Sequence, residues 1–302
     1  MAAEPEQFFY GGQAVIEGVL MRGRRHYAVA ARRRDGRIVT VSEPLKSRVY
    51  TSRFWALPFF RGIAGLIEML HLGMRALTWS ANVQAEADDI QLSPTVMRAS
   101  MAVSVIVGLV LFVGLPLGLA GLLHHGQRSV GFVIIEGIAR ACVLLGYLAL
   151  IAQVPSVRRV FEYHGAEHKT INCFEAGHPV DVEHVRTASR LHPRCGTGFL
   201  VVVALVSIVV FAPFGGLPVP LLVLSRVVLI PVVAAIAYEG IRGLARIRRT
   251  APGRLALLPI LATQRLTTRE PDDAQIEVAI EALALARAGD VGEPPTPMPL
   301  AS

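Results

Sequence analysis

The densest chemistry in this chain lies between Phe161 and Leu200, a stretch holding five of the nine histidines and two of the three cysteines. Val157, Phe161, His164, His168 and Ile171 recur at three- and four-residue steps, which marks one face of a helix. His164 and His168 therefore stand one turn apart with their rings on the same side, as two imidazoles on one metal ion must. Glu167 completes H-x-x-E-H, the reverse of the H-E-x-x-H zinc-protease pattern, where the glutamate is the general base toward water activated by the ion. Glu175 shares the face, but it lies a rise of about 10 Å beyond His168. It can join the same ion only if the helix ends early, and the stop signal from Gly177 and Pro179 comes just after it.

The second half of the stretch adds His192-Pro-Arg-Cys195-Gly196, the spacing of a C-x-x-C-G zinc knuckle with histidine in the first place. Proline entering the turn and glycine leaving it let both side chains aim at one point. His164, His168, His192 and Cys195 together make three nitrogens and one sulfur. That donor set suits tetrahedral zinc above other divalent ions. The competing reading is a polar loop whose histidines bind nothing.

These strings carry a resemblance. Tyr163-His-Gly-Ala-Glu-His-Lys-Thr170, His192-Pro-Arg-Cys-Gly-Thr197, Gly11-Gly-Gln-Ala-Val-Ile-Glu-Gly18 and Thr267-Thr-Arg-Glu-Pro-Asp272 resemble the YqhQ-type family. Its members are uncharacterised bacterial membrane proteins with a domain of unknown function, described as metal-dependent enzymes. The resemblance spans nearly the whole chain and implies His164, Glu167, His168, Glu175, His192 and Cys195 as the motif positions.

The elements that must position these residues belong to a membrane protein. Of 302 residues, 53% are apolar and only 18% charged, and the net charge is +7. The excess of arginine flanks apolar runs, with no basic stripe interleaved with aromatics, so nucleic acid is not an expected partner. The odd cysteine count argues against a disulfide framework. Residues 1–52 read as a small β-rich unit, with Asp35-Gly36 turning a hairpin. Residues 53–96 read as an amphipathic helix lying in the membrane interface, followed by a polar connector. Glu17, in the β-rich unit, reads as a satisfied polar residue.

Four segments are then expected to span: Ala99–Leu123 and Val130–Val154 in a first hairpin over 97–154, and Gly198–Phe214 and Val219–Tyr238, which make a second hairpin over about 199–241. The expectation is a mainly α integral membrane protein with four transmembrane helices in two hairpins and a cytoplasmic metal-motif loop over 155–198. The basic residues place that loop and both termini in the cytoplasm of a bacterial plasma membrane. Residues 242–302 hold a basic stretch, an apolar run at Arg254–Thr263 too short to span, a helix from Pro271 with Ile276, Ala279, Ile280 and Leu283 on one face, and a disordered proline-rich end. His124 and His125 read as an exposed turn on the other side. Glu136 and Arg226 fall at similar depth and are expected to pair, with Arg140 one turn further in. Glu239 ends the fourth span level with the motif loop, as a further carboxylate for the metal or its surroundings.

Three functions follow as expectations. The leading one is a zinc hydrolase at the cytoplasmic membrane face, with Glu167 as base and a lipid-linked or membrane-protein substrate. The second is a scaffold or assembly factor in which His164, His168, His192 and Cys195 close around a structural zinc. A transporter built on Glu136, Arg140 and Arg226 is the weakest, because no internal repeat is visible.

Overall fold

The computed structural model describes residues 10–45, 54–55, 57–86, 94–124, 129–247 and 250–292. His125, the acidic connector at 87–93 and the proline-rich end at 293–302 lie outside them. The chain opens with four antiparallel strands in sequential order: β1 Gly11–Val15, β2 Gly18–Arg22, β3 His26–Arg32 and β4 Ile38–Pro44. Val19, Met21, Ala28 and Ala30 enter one core, while Val15, Leu20, Tyr27 and Val29 enter another. This two-sided burial explains why the two central strands, GVLMR and HYAVAAR, are nearly continuous apolar runs rather than a clean alternation.

One face is covered by α1, Phe60–Ala85, through Leu72 and Ala76. This helix takes in residues 81–85, which the sequence had suggested as connector. The other face is covered by α5 (Pro155–Glu175), α6 (Val182–Thr187) and α11 (Asp273–Val291), which share its core through Tyr163, Ile171, Val185, Ile276 and Leu283. Segments from the start, middle and end of the chain thus meet in one polar body. Helix α11 starts at a capping box between Asp272 and Gln275, with Pro271 just before it. Its buried face is wider than expected and includes Val278, Ala282 and Ala286. At its far end the Asp290 carboxylate accepts the successive backbone N–H groups of Arg24, Arg25 and His26, at 2.7, 2.7 and 3.0 Å.

The rest is apolar helix. Three segments are long and apolar enough to cross a membrane: Arg98–Leu123, Val130–Ile151 and Gly196–Phe214. The first runs through α2 (Pro94–Leu109), a π-helical turn (Val110–Gly114) and α3 (Leu115–Leu123); the second is α4 (Val130–Ile151); the third contains α7 (Gly196–Phe211). The fourth segment is not the straight span expected. It breaks into α8 (Val219–Val228) and α9 (Ile230–Ile247), and its two halves are bent by 45°. Pro231 supplies the cause, because its ring lacks an N–H and clashes with the carbonyl four residues back. The described residues therefore contain three such helices, or four if the bent pair forms one span.

The Arg254–Thr263 run is also more than it seemed. It forms the middle of α10, Ala251–Thr267, which is capped by the Thr250 hydroxyl and passes close to the start of α7 where Ile260 meets Gly198. Only three residues separate the end of α4 from the start of α5, and α7 begins at the knuckle itself. The motif stretch is therefore held at one end of the apolar bundle.

Candidate metal centre

Helix α5 presents His164 and His168 toward the end of α10 and the knuckle, and a close backbone approach sets their orientation. A Cβ at Gly165 would run into the carbonyl of Arg269, so only glycine lets the linker after α10 lie against α5. That linker brings the Thr267 carbonyl to 2.8 Å from His164 Nδ1. On the other side, the Arg190 carbonyl lies 2.6 Å from His168 Nδ1. A carbonyl can only accept, so each Nδ1 donates, which in the neutral ring leaves the lone pair on Nε2. The two rings are 4.4 Å apart at their centres.

Cys195 approaches from the knuckle as the residue preceding α7, with its sulfur at the positive end of that helix. Sγ lies 3.2 Å from His164 Nε2 and 3.1 Å from Thr197 Oγ1, which in turn lies 3.1 Å from Thr267 Oγ1. One ligand atom from each of His164, His168 and Cys195 falls within 4.8 Å of the other two. Ligands sharing one tetrahedral zinc stand about 3.3–3.6 Å apart. The donor chemistry and the carbonyl-fixed tautomers therefore fit such an ion.

His192, the fourth expected ligand, stands beside this group rather than in it. Gln264 clamps its backbone, accepting from its N–H at 2.8 Å and donating to its carbonyl at 2.7 Å. The ring is 5.6 Å from that of His168, and its Nε2 is buried without a hydrogen-bond partner. Burial pulls its pKa down, which keeps the imidazole neutral. Glu175 Oε2 is 3.9 Å from that nitrogen, too far for a hydrogen bond. Glu175 is instead ion-paired with Arg194. Burial alone would raise its pKa, but His192 and Arg194 together hold it below the ordinary value.

Glu167 is buried and turned toward the sheet. Its Cγ and Cδ pass within 2.9 Å of where a Gly12 side chain would begin, and its Oε2 has no partner. Burial pushes its pKa up to about 7, against the opposing influence of His164 and the Gly12 backbone. The remaining carboxylates are occupied elsewhere. Glu239 accepts from the Nε and Nη2 of Arg61 on α1 and so ties α1 to α9. Glu136 lies in the apolar bundle, bonded at 2.5 Å by Arg140 and at 2.5 Å by Arg226. Arg140 also reaches Ser207 and, at 3.1 Å, the Phe112 carbonyl in the π-helical turn, and both guanidinium groups stack over Phe211. Glu17 pairs with Arg159 and accepts from Tyr163.

Sequence reasoning missed Gln264, Thr197, Gly12 and the carbonyls of Thr267 and Arg190. Thr267 did stand in one of the motif strings, but nothing in its type announces a carbonyl partner for a histidine 103 residues away.

Fold and site together define a class: a mainly helical protein with three or four apolar segments, a small N-terminal antiparallel sheet, and a His–His–Cys cluster where its polar body joins the bundle. The chain belongs to the family described as "Protein of unknown function (DUF1385)", whose model matches residues 57–288. It is similar to the uncharacterized protein YqhQ of Bacillus subtilis (strain 168), with 37% identity over 286 residues covering 90% of each chain. No solved structure matches it.

Proposed function

We propose that this chain is a membrane-integral, zinc-dependent hydrolase whose site lies at the cytoplasmic face of a bacterial plasma membrane. The observation that carries the reading is the cluster of three ligand atoms from His164, His168 and Cys195. Three protein ligands are the number that catalytic zinc sites use, while structural sites use four. Zinc held there would supply Lewis acidity, polarising a carbonyl or phosphoryl oxygen and acidifying water. The protein's own part is to fix both imidazoles through the Thr267 and Arg190 carbonyls and to offer Glu167 as the proton acceptor. A carboxyl titrating near neutrality is matched to that task. The position at the ends of α4 and α7 supports a lipid-linked or membrane-protein substrate. Arg158, Arg159, Lys169, Arg186, Arg190 and Arg194 in the same stretch support the cytoplasmic side.

One observation favours a second reading. The orphaned Nε2 of His192 is the kind of buried atom a fourth ligand bond would satisfy, and a four-ligand zinc would be structural. Elemental analysis of the detergent-purified protein and spectroscopy of its cobalt form test both. We expect about one metal per chain, lost in His168→Ala and retained in Glu167→Gln with hydrolysis abolished. A cobalt spectrum unchanged by His192→Ala marks the open site; one that changes marks the closed, structural site. Metal-free wild-type protein with a rapidly alkylated Cys195 would overturn both and leave the Cys195–His164 contact as a thiol–imidazole pair.

A further inference from the structure

A second site lies one turn back along α5, on the opposite side of Tyr163 from the histidines. An open cavity of about 530 Å³ is walled by Glu17, Arg32, Arg33, Arg34, Gln84 and Arg159. Four arginines and one glutamate line it, and the Glu17 carboxylate is already held by Arg159 and the Tyr163 hydroxyl. Arg32 is fixed in place by the Gly36 and Ala274 carbonyls and by Glu277, yet its Nε is buried without a partner. Arg33 has Glu86 at 3.9 Å as its ionic neighbour among the described residues, too far for a hydrogen bond. The backbone at the cavity wall is strained as well: Glu17 has φ +53°, a left-handed conformation that a glutamate adopts at some cost.

Convergent guanidinium groups are matched to phosphate, whose oxygens accept several planar N–H donors at once. The cavity volume is that of a small-molecule site. Its place in the fold narrows the source. Arg159 lies four residues past Pro155, so it is at most about 6 Å along α5 from where that helix leaves the apolar bundle. A phosphate presented at a membrane surface is within its reach.

We propose that this arginine-walled cavity binds a phosphate group, carried by an anionic phospholipid headgroup or by a free phosphate. The site does not depend on the metal centre, and its test leaves that centre untouched. Calorimetry on the full chain in neutral detergent would compare short-chain phosphatidylglycerol, phosphatidylcholine of the same length, and inorganic phosphate. The test variant is Arg33→Gln/Arg34→Gln, which leaves Arg32 and Arg159 in place. Circular dichroism confirms its fold, and Arg33→Lys/Arg34→Lys serves as the charge-retaining control. Wild type is expected to prefer phosphatidylglycerol over phosphatidylcholine by tenfold or more, and the glutamine variant to lose at least tenfold, with partial recovery in the lysine variant. Displacement of the lipid by inorganic phosphate supports the free anion as source; no displacement supports the lipid. Equal affinity of wild type and glutamine variant, both for phosphatidylglycerol and for inorganic phosphate, overturns the proposal.

Discussion

Glu167 shows how one buried group can serve chemistry and weigh on stability together. Its pKa rises from 4.5 to about 7 because burial disfavours the charged form. Between those values the folded chain keeps a proton that the unfolded chain has released. The resulting stabilisation is full below the lower value and is lost as pH rises through the upper one. A shift of this size corresponds to about 3 kcal/mol. In metal-free protein, the melting temperature of wild type should therefore fall relative to Glu167→Gln between about pH 5 and about pH 8. Parallel profiles would mean that the carboxyl is not held neutral. The same side chain explains why Gly12 must lack a Cβ, since one there would meet Glu167 and the Leu20 carbonyl at 2.9 and 2.6 Å.

At the scale of elements, α5 and the knuckle before α7 make the site, α10 orients it, and α11 holds the body that carries it. The two contributions can be separated. Gly165→Ala drives a methyl group into the Arg269 carbonyl, so it should cost about 1–3 kcal/mol. It should also weaken metal binding by about 10–100-fold by moving the Thr267 carbonyl off His164. Asp272→Ala removes a cap from α11 and should cost about 1 kcal/mol with metal affinity unchanged. Equal metal loss in both variants would show that the linker has no orienting role. The contrast also marks what the sequence can show. The helical period of His164 and His168 and the knuckle spacing of Cys195 are local patterns, readable because helix and turn geometry repeat. The carbonyls that orient them are not, since every residue has one and only the tertiary approach selects it. Helix α10 was hidden for a related reason: Pro259 interrupts the apolar run as a breaker would, yet the helix continues through it.

At the scale of the whole molecule, two features bind distant parts of the chain: the buried charges of the bundle and the shared core of the polar body. Glu136 serves two guanidinium groups, so removing different members leaves different charges. Glu136→Gln leaves Arg140 and Arg226 adjacent without a counter-charge and should cost about 3–5 kcal/mol in detergent unfolding. Arg226→Met leaves the neutral Glu136–Arg140 pair and should cost clearly less; the reverse order would refute this account of the cluster. The shared core has a consequence for biosynthesis. Arg32 on β3 bonds the carbonyl of Ala274, which the ribosome adds 242 residues later. At about 5–20 residues per second, the finished sheet waits tens of seconds for the helix that completes its core. All the long apolar segments emerge during that interval, while the globular part is still half-made. Thr267 also arrives late, which makes the fixing of the His164 ring one of the last events in the maturation of each copy.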